Sequence, residues 1–390
     1  MRILIYAHAF APKIGGAETV VFSLARGLTG LQLVGEAKLL ETTLATSTAA
    51  GDMDDTALGF RVVRQPGVVR LLKLFRQAEV IHLAGPTHLP LFLGWLMRKR
   101  IVVEHHGFQA VCPNGQLFYE PARCLCPGHF MAGRHLECLS CNEKYGRIKS
   151  FKMWLLTFSR RRLCELISAN VAPTDWLSNV LRLPRTTLIP HGLAPADANG
   201  QPSKDRVKPP TFAFLGRLVG TKGVDILISA AHRLKQQGYI FRVKIIGDGP
   251  DRETLQRKVA IGGLSGCMEF LGYLPDERIQ EALSGTVAFV MPSLAGEVFG
   301  LVAAENMLRG RLVIASDIGA LREVVGEAGL LFPPGDEIAL AQCMRLVLED
   351  VSLVAALQKK ALERARVLFD EALMVRKHLA LYRRLVPCEE

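Results

Sequence analysis

The chain has 390 residues, 49% of them hydrophobic and 22% charged, which is more than one ordinary core needs and too apolar for long stretches of disorder. Its longest apolar run, Leu89 to Met97, falls far short of the roughly 20 residues that cross a bilayer, so no transmembrane segment is expected. The net charge of +11 fits either ordinary solubility charge or an anionic partner such as nucleic acid, a membrane surface or a phosphorylated substrate; residues 1–200 carry 23 Lys and Arg against 14 Asp and Glu, and the remainder 25 against 23.

In chain order, Arg2 to Ala7 reads as a buried strand rather than a signal peptide, since no convincing cleavage site follows it. A loop with Pro12 and the pair Gly15-Gly16 leads into a helical pattern from Glu18 to Leu28. Val80-Ile-His-Leu and Ile101-Val-Val-Glu are further apolar runs around a helix-like stretch, as parallel strands with crossovers require. Residues 1–190 are therefore expected to form one doubly wound α/β domain, with a cysteine-rich insertion at 112–141. Residues 191–210 thin into Gly, Pro, Ala and polar residues and read as a linker. The grammar then restarts, with strands expected at Thr211–Leu215, Arg242–Ile246, Met268–Leu271, Val287–Met291 and Leu312–Ala315. This gives a second doubly wound, Rossmann-like domain over 211–370, and two such domains imply a cleft. Residues 371–390 carry a helix expected to pack back on the first domain.

Ligands of open α/β sheets sit beyond the carboxyl ends of the strands, which directs attention to three segments of the second domain. Gly216-Arg-Leu-Val-Gly-Thr-Lys-Gly223 follows a strand and brings Arg217 and Lys222 near one anion, as a diphosphate demands. Ile246-Gly-Asp-Gly-Pro250 is a tight turn in which Gly247 lets the backbone approach a ligand. Glu297-Val-Phe-Gly-Leu-Val-Ala-Ala-Glu305 opens a helix whose first N–H groups suit a polar ligand, with two carboxylates flanking it as acceptors for sugar hydroxyls.

Those segments, with Phe270-Leu-Gly-Tyr273 and the Glu-x7-Glu spacing, closely resemble the donor half of family 4 of the retaining glycosyltransferases, which has the two-domain GT-B fold. The strong part covers residues 211–335. Fainter echoes are Gly15-Gly-Ala-Glu18, Val80-Ile-His-Leu with Gly85-Pro86, Ala172-Pro-Thr-Asp and Ile189-Pro-His-Gly192, the last departing from the usual Pro-Asn-Gly-Val-Asp at His191 and Ala194. The resemblance implies a hexosyltransferase-type enzyme that moves a sugar from a nucleoside-diphosphate-sugar to an acceptor hydroxyl in glycan, polysaccharide or glycolipid synthesis. Arg217 and Lys222 would neutralise the leaving diphosphate, Glu305 would hold the donor ribose, Glu297 would bind the transferred sugar, and the amides of Phe299, Gly300 and Leu301 would steady sugar or phosphate oxygens. Gly15 and Gly16 would let backbone approach donor phosphate or acceptor. His106, aligned on Cys112-Pro113, matches the active-site histidine of the family, and Gly107 stands where an Asp is common.

Cys112, Cys124, Cys126, Cys138 and Cys141 crowd one segment with His129 and His135. In a reducing, cytoplasmic setting these cysteines are free thiols or metal ligands rather than disulfides, and the Cys138-x2-Cys141 spacing suits a structural zinc. Asp52-Met-Asp54 is a chance DxD match in a polar loop, so no catalytic metal is expected. Residues 144–162 interleave Lys144, Arg147, Lys149, Lys152 and Arg160-Arg-Arg with Ile148, Phe151, Trp154, Leu155 and Phe158, a pattern that fits either a domain-packed helix or a peripheral contact with the anionic inner membrane face beside a lipid-linked acceptor. The alternatives are a sugar-nucleotide epimerase or hydrolase on the same fold, or a non-enzymatic metal-knuckle binder of nucleic acid; the second leaves Glu297 and Glu305 without a task, and nucleic acid is not the expected partner.

Overall fold

The computed structural model describes all residues except 13–14, 34–39, 52, 195–208 and 387–390. The chain divides into two compact units. The first comprises 1–121, 126–194 and 369–390, and the second 122–125 and 195–368.

The strands of the first unit are β1 (Arg2–Ala7), β2 (Glu41–Thr46), β3 (Arg61–Arg64), β4 (Val80–Ala84), β5 (Arg100–Glu104), the two-residue β6 (Phe118–Tyr119) and, after β7 (Cys124–Leu125), β8 (Ala169–Ala172) and β9 (Thr186–Leu188). Seven of them form one parallel sheet in the order β3-β2-β1-β4-β5-β8-β9. Helices α1 (Gly16–Leu33), α2 (Val68–Gln77), α3 (His88–Leu96), α4 (His135–Cys141), α5 (Arg147–Leu166) and α6 (Asp175–Leu181) connect them. Ile3, Leu4, Ile5, Val80, Ile81, Val102 and Val103 are buried, the near-continuous apolar run that a parallel sheet covered on both faces requires. Each such side chain contributes on the order of 1.5–3 kcal/mol.

The second unit holds β10 (Thr211–Leu215), β11 (Arg242–Ile246), β12 (Met268–Gly272), β13 (Thr286–Met291), β14 (Leu312–Ser316) and β15 (Leu330–Phe332), again parallel, in the order β12-β11-β10-β13-β14-β15. Its helices are α7 (Val224–Gln236), α8 (Arg252–Ile261), α9 (Asp276–Ala282), α10 (Leu301–Leu308), α11 (Gly319–Val325), α12 (Glu337–Glu349) and α13 (Val351–Leu368). Phe212, Phe214, Leu227, Val243, Ile245 and Val290 join α7 and α12 residues in one core. The strand order reverses between β1 and β4 in one sheet and between β10 and β13 in the other, and such switch points are where crevices open at the carboxyl ends.

Helix α14 (Glu371–Leu385) belongs to the first unit, where it lies on α1. Asp370 caps it through Leu373 N–H at 2.7 Å, Arg26 pairs with Glu371 at 2.9 Å, and a Cβ on Gly27 would come within 2.4 Å of Val375, so glycine is what allows this approach. His191 to Ala194, read from sequence as the start of the linker, fold with the first unit: Leu193 bridges Asp370, and Leu193 N–H donates to Phe369 C=O at 2.8 Å. Most of the expected linker, 195–208, lies outside the described residues. Among the described residues no helix is long and apolar enough to cross a membrane.

Candidate active site

Three loops meet beyond the carboxyl ends of β10, β11 and β13, and glycines set their spacing. A Cβ on Gly247, at φ +126°, would stand 2.0 Å from Gly216 C=O, and one on Gly249 would stand 2.3 Å from Leu218 C=O. Leu218 N–H donates to Asp248 C=O at 2.9 Å, and Asp251 N–H donates back to Leu218 C=O at 3.1 Å, so the first two loops are laced together. The first loop is tied to the third by Leu294 N–H donating to Thr221 C=O at 2.8 Å. Gly223, at φ +64°, passes so near Pro292 that a Cβ would meet its carbonyl at 1.9 Å.

This lacing delivers Lys222 to Glu297 across the switch point, with Nζ 2.5 Å from Oε1. Ser293 Oγ donates to the same carboxylate oxygen at 2.8 Å. Glu297 is buried and Lys222 half-buried, so the pair is shielded from bulk solvent and its field is stronger than that of a surface ion pair. Gly300, at φ +92°, begins α10, and a Cβ there would run into Leu321 at 2.5 Å; the Phe299 side chain is buried beneath the turn. Glu305 follows in the second turn of α10, half-buried. Arg217 is exposed and makes no ion pair among the described residues. Of the expected donor residues, Lys222 and Glu297 are thus in direct contact, Gly247, Gly300, Leu301 and Glu305 stand on the surrounding turns and helix start, and Arg217 extends from the loop.

The first unit holds a second assembly, centred on Glu104 at the end of β5. Its carboxylate is fully buried and faces four imidazoles: His82 Nε2 at 3.2 Å and His106 Nε2 at 3.5 Å from Oε2, and His191 Nδ1 at 3.4 Å and His378 Nε2 at 3.8 Å from Oε1. Tyr382 of α14 reaches His82 Nδ1 at 2.8 Å. Burial pushes the Glu104 carboxyl up, but the facing imidazoles of His106, His378 and His191 outweigh it and hold the group well below its ordinary value. His106 lies nearly parallel to His191, ring centres 5.1 Å apart. His106 stands out in the sequence but its surroundings do not, because His82, His191 and His378 are scattered over 296 positions of the chain. The available signal was Glu104 itself, a carboxylate ending an otherwise apolar strand. His105 has a structural partner: it is buried, Asn170 holds its Nε2 at 2.9 Å, and burial lowers its pKa to about 4.

Gly15 and Gly16 stand before and at the start of α1, after β1. Cys112, Cys138 and Cys141 are buried, Cys126 is half-buried, and Cys124 is exposed and groups with the other unit. The five do not converge as one ligand set. Among the described residues no three of these sulfurs gather within 4.8 Å, and the Asn114 amide is inserted between Cys112 Sγ at 3.0 Å and Cys141 Sγ at 3.7 Å. Burial raises the Cys112 thiol to about 11 and Cys138 to about 12, so both carry protons. Asp54 caps a short 3-10 helix through Thr56, and Asp52 lies outside the described residues.

Residues 197–364 match the family described as glycosyl transferases group 1. The chain is 34% identical over 185 residues to the phosphatidyl-myo-inositol mannosyltransferase of Mycolicibacterium smegmatis, a match covering 45% of this chain and 46% of that protein. It spans about half the length of the curated relatives it matches. Among solved structures it resembles sucrose-phosphate synthase from Thermosynechococcus elongatus, with a TM-score of 0.73, 20% identity and 98% of each chain covered. It also resembles Anabaena Alr3699/HepE in complex with UDP-glucose, with a TM-score of 0.70, 18% identity and 97% and 98% covered. These likenesses extend over both units and establish the fold as GT-B.

Proposed function

We propose that this chain, a member of glycosyl transferases group 1 through its residues 197–364, is a retaining hexosyltransferase that uses a nucleoside-diphosphate-sugar. The observation that carries the reading is the Lys222–Glu297 pair held across the β10/β13 switch point inside the region matched to the family. Lys222 and Arg217 supply the cations that a departing diphosphate requires, and Glu297 is divided between Lys222 and the hydroxyls of the transferred sugar. Glu305 takes the ribose hydroxyls, and the turn at Phe299, Gly300 and Leu301 offers main-chain groups at the start of α10. In the reaction the bond from the anomeric carbon to the diphosphate oxygen breaks. The acceptor oxygen bonds to that carbon on the same face, and its proton passes to the departing phosphate. Fixed cations stabilise the charge that grows on the leaving group, and removing one such contact costs on the order of 10²–10³ in rate.

A lipid-linked acceptor at an anionic bilayer is the reading we favour for the other substrate. Helix α3 packs on α5, and together they expose Leu89, Phe92, Trp95, Leu96, Ile148, Phe151 and Leu155 beside Arg147, Lys149 and Lys152. Apolar anchors rimmed by cations suit the boundary of an anionic leaflet. A structural zinc on Cys112, Cys126, Cys138 and Cys141 would require the Asn114 amide to swing out, and elemental analysis of anaerobically purified wild type and Cys138→Ser/Cys141→Ser protein decides it.

The reading is tested by titrating UDP-, GDP- and ADP-sugars into the protein by calorimetry and following transfer to glycan and lipid acceptors. One nucleotide sugar is expected to saturate at micromolar concentration and to lose affinity in Glu305→Ala. If no nucleotide sugar binds and Lys222→Ala and Glu305→Ala change nothing, the reading is wrong.

A further inference from the structure

Tyr382 is fully buried beside His82, and burial raises its hydroxyl well above the usual phenol range, so it keeps its proton and donates to His82 Nδ1. The ionised Glu104 carboxylate can only accept, so His82 Nε2 carries the hydrogen between them, and this ring has a partner at each nitrogen. His378 Nδ1 lies 3.0 Å from the Met374 carbonyl, which can only accept, so that nitrogen is the protonated one. Burial lowers His378 to about 4, which leaves its Nε2 as a lone pair opposite Glu104 Oε1 at neutral pH. His191 is buried, and burial lowers it as well.

An ionised carboxylate in a dry core needs hydrogen-bond donors. Of the four facing histidines, His82 already donates through Nε2, while burial makes His191 and His378 resist charging. His106 is left, and it alone retains some exposure, with 9% of its side chain accessible against 0–2% for the others. The surrounding backbone is built to hold this arrangement. A Cβ on Gly192 would come within 2.6 Å of Glu371 Cα, so glycine after His191 lets that loop press against the start of α14, the helix that supplies His378 and Tyr382.

We propose that Glu104 is the positioning residue of His106: its carboxylate faces Nε2 and accepts the hydrogen there, which fixes the orientation of the ring, and is itself held in place by the Tyr382–His82 relay from the C-terminal helix. This deepens the transferase reading and rests on it only for the task of His106. With Nε2 committed to Glu104, Nδ1 is the ring nitrogen left to meet a substrate group.

The test combines ¹⁵N-histidine NMR with kinetics on wild type and Glu104→Gln, the His106 resonance being assigned by its loss in His106→Gln. His106 Nε2 is expected to be protonated in wild type at neutral pH. In Glu104→Gln, whose amide can offer an N–H to the same ring nitrogen, the share of His106 protonated at Nε2 should fall. The variant should lose roughly tenfold or more in kcat with donor KM within about twofold, and Glu104→Asp should regain part of kcat. A His106 Nε2 that is unprotonated in wild type overturns the assignment, and that measurement needs no variant to fold. An unchanged His106 tautomer in folded Glu104→Gln overturns it too, as does stoichiometric metal in wild type that Glu104→Gln loses. Transfer by wild type with an unaltered Glu104→Gln leaves the transferase reading standing and removes this one. The NMR result without any nucleotide-sugar binding does the reverse.

Discussion

Lys222 and Glu297 are 75 residues apart in sequence and 2.5 Å apart in space, joined across the two strands at which the order of the second sheet reverses. Each holds the other in a site that a diphosphate sugar would enter, so removing either leaves a charge shielded from water without its partner. Lys222→Ala is expected to lower kcat by on the order of 10²–10³. Glu297→Gln should raise the donor KM and lower kcat, and the double variant should lose much less than the product of the single effects, because the two groups act as a unit. Steady-state kinetics on the three variants checks this, and strictly multiplicative losses would show that the pair is not coupled.

The donor loops were legible because each packs its residues into a short stretch after an apolar strand, and a strand-turn-helix grammar places such stretches at one edge of a sheet. Gly247 stood out for the same reason. The Glu104 assembly was not legible, since it is gathered from β4, β5, the segment after β9, and α14, and no local pattern announces that His82 and His378 face one carboxylate. Helix α14 was expected to return to the first domain, but that it carries Tyr382 into the sheet could be known only from the packing. The Cys138-x2-Cys141 spacing looked like a knuckle, yet spacing says nothing about Asn114, whose amide stands between two of the thiols.

Gly223→Ala should damage the donor loops more than its size suggests. Its backbone is left-handed at φ +64°, and the added methyl would sit 1.9 Å from the Pro292 carbonyl, which cannot yield without breaking the Leu294–Thr221 hydrogen bond. A left-handed non-glycine residue alone costs on the order of 1–3 kcal/mol. The variant is expected to melt lower by calorimetry and to bind nucleotide poorly, whereas Gly266→Ala, where nothing lies within 4 Å, should be close to neutral. Equal melting of the two variants would contradict the account.

The seam between α1 and α14 offers a separate test. Gly27→Ala places a methyl 2.4 Å from Val375, and overpacking of this kind costs about 1–3 kcal/mol. Val375→Ala removes the obstructing methyls, so the double variant should recover part of the loss. All three tryptophans, Trp95, Trp154 and Trp176, lie in the first unit, and their fluorescence during urea unfolding reports on it alone. No recovery in the double variant would mean that this contact does not limit the docking of α14.

For the exposed face of α3 and α5, Phe92→Asp and Phe151→Asp are expected to reduce co-sedimentation with vesicles containing anionic phospholipid by roughly tenfold each, since each change removes an exposed aromatic anchor and adds a repelled charge. Raising salt should weaken wild-type binding, and neutral vesicles should bind less. Vesicle binding that ignores salt, lipid charge and both substitutions would leave these residues as ordinary surface.

The pH dependence of stability follows from histidines that folding buries in their neutral form. Burial lowers His105 and His378 to about 4 and lowers His191, against about 6.5 in an unfolded chain. As pH falls below about 6.5 the unfolded chain takes up protons that the folded chain refuses, so stability drops with a slope of up to about 1.4 kcal/mol per pH unit for each histidine, until the folded groups protonate near the lower values. Glu104 acts with the same sign lower down: its folded carboxyl is held well below the ordinary value, so its contribution is complete above the unfolded pKa and is lost as pH falls through the folded one. Urea unfolding followed by tryptophan fluorescence should therefore show the first unit losing on the order of 2–4 kcal/mol between pH 7.5 and 5, with a shallower slope in His378→Gln. Stability that stays level or rises over that interval would mean that the buried imidazoles are already charged in the native protein, and the proton inventory around Glu104 would have to be redrawn.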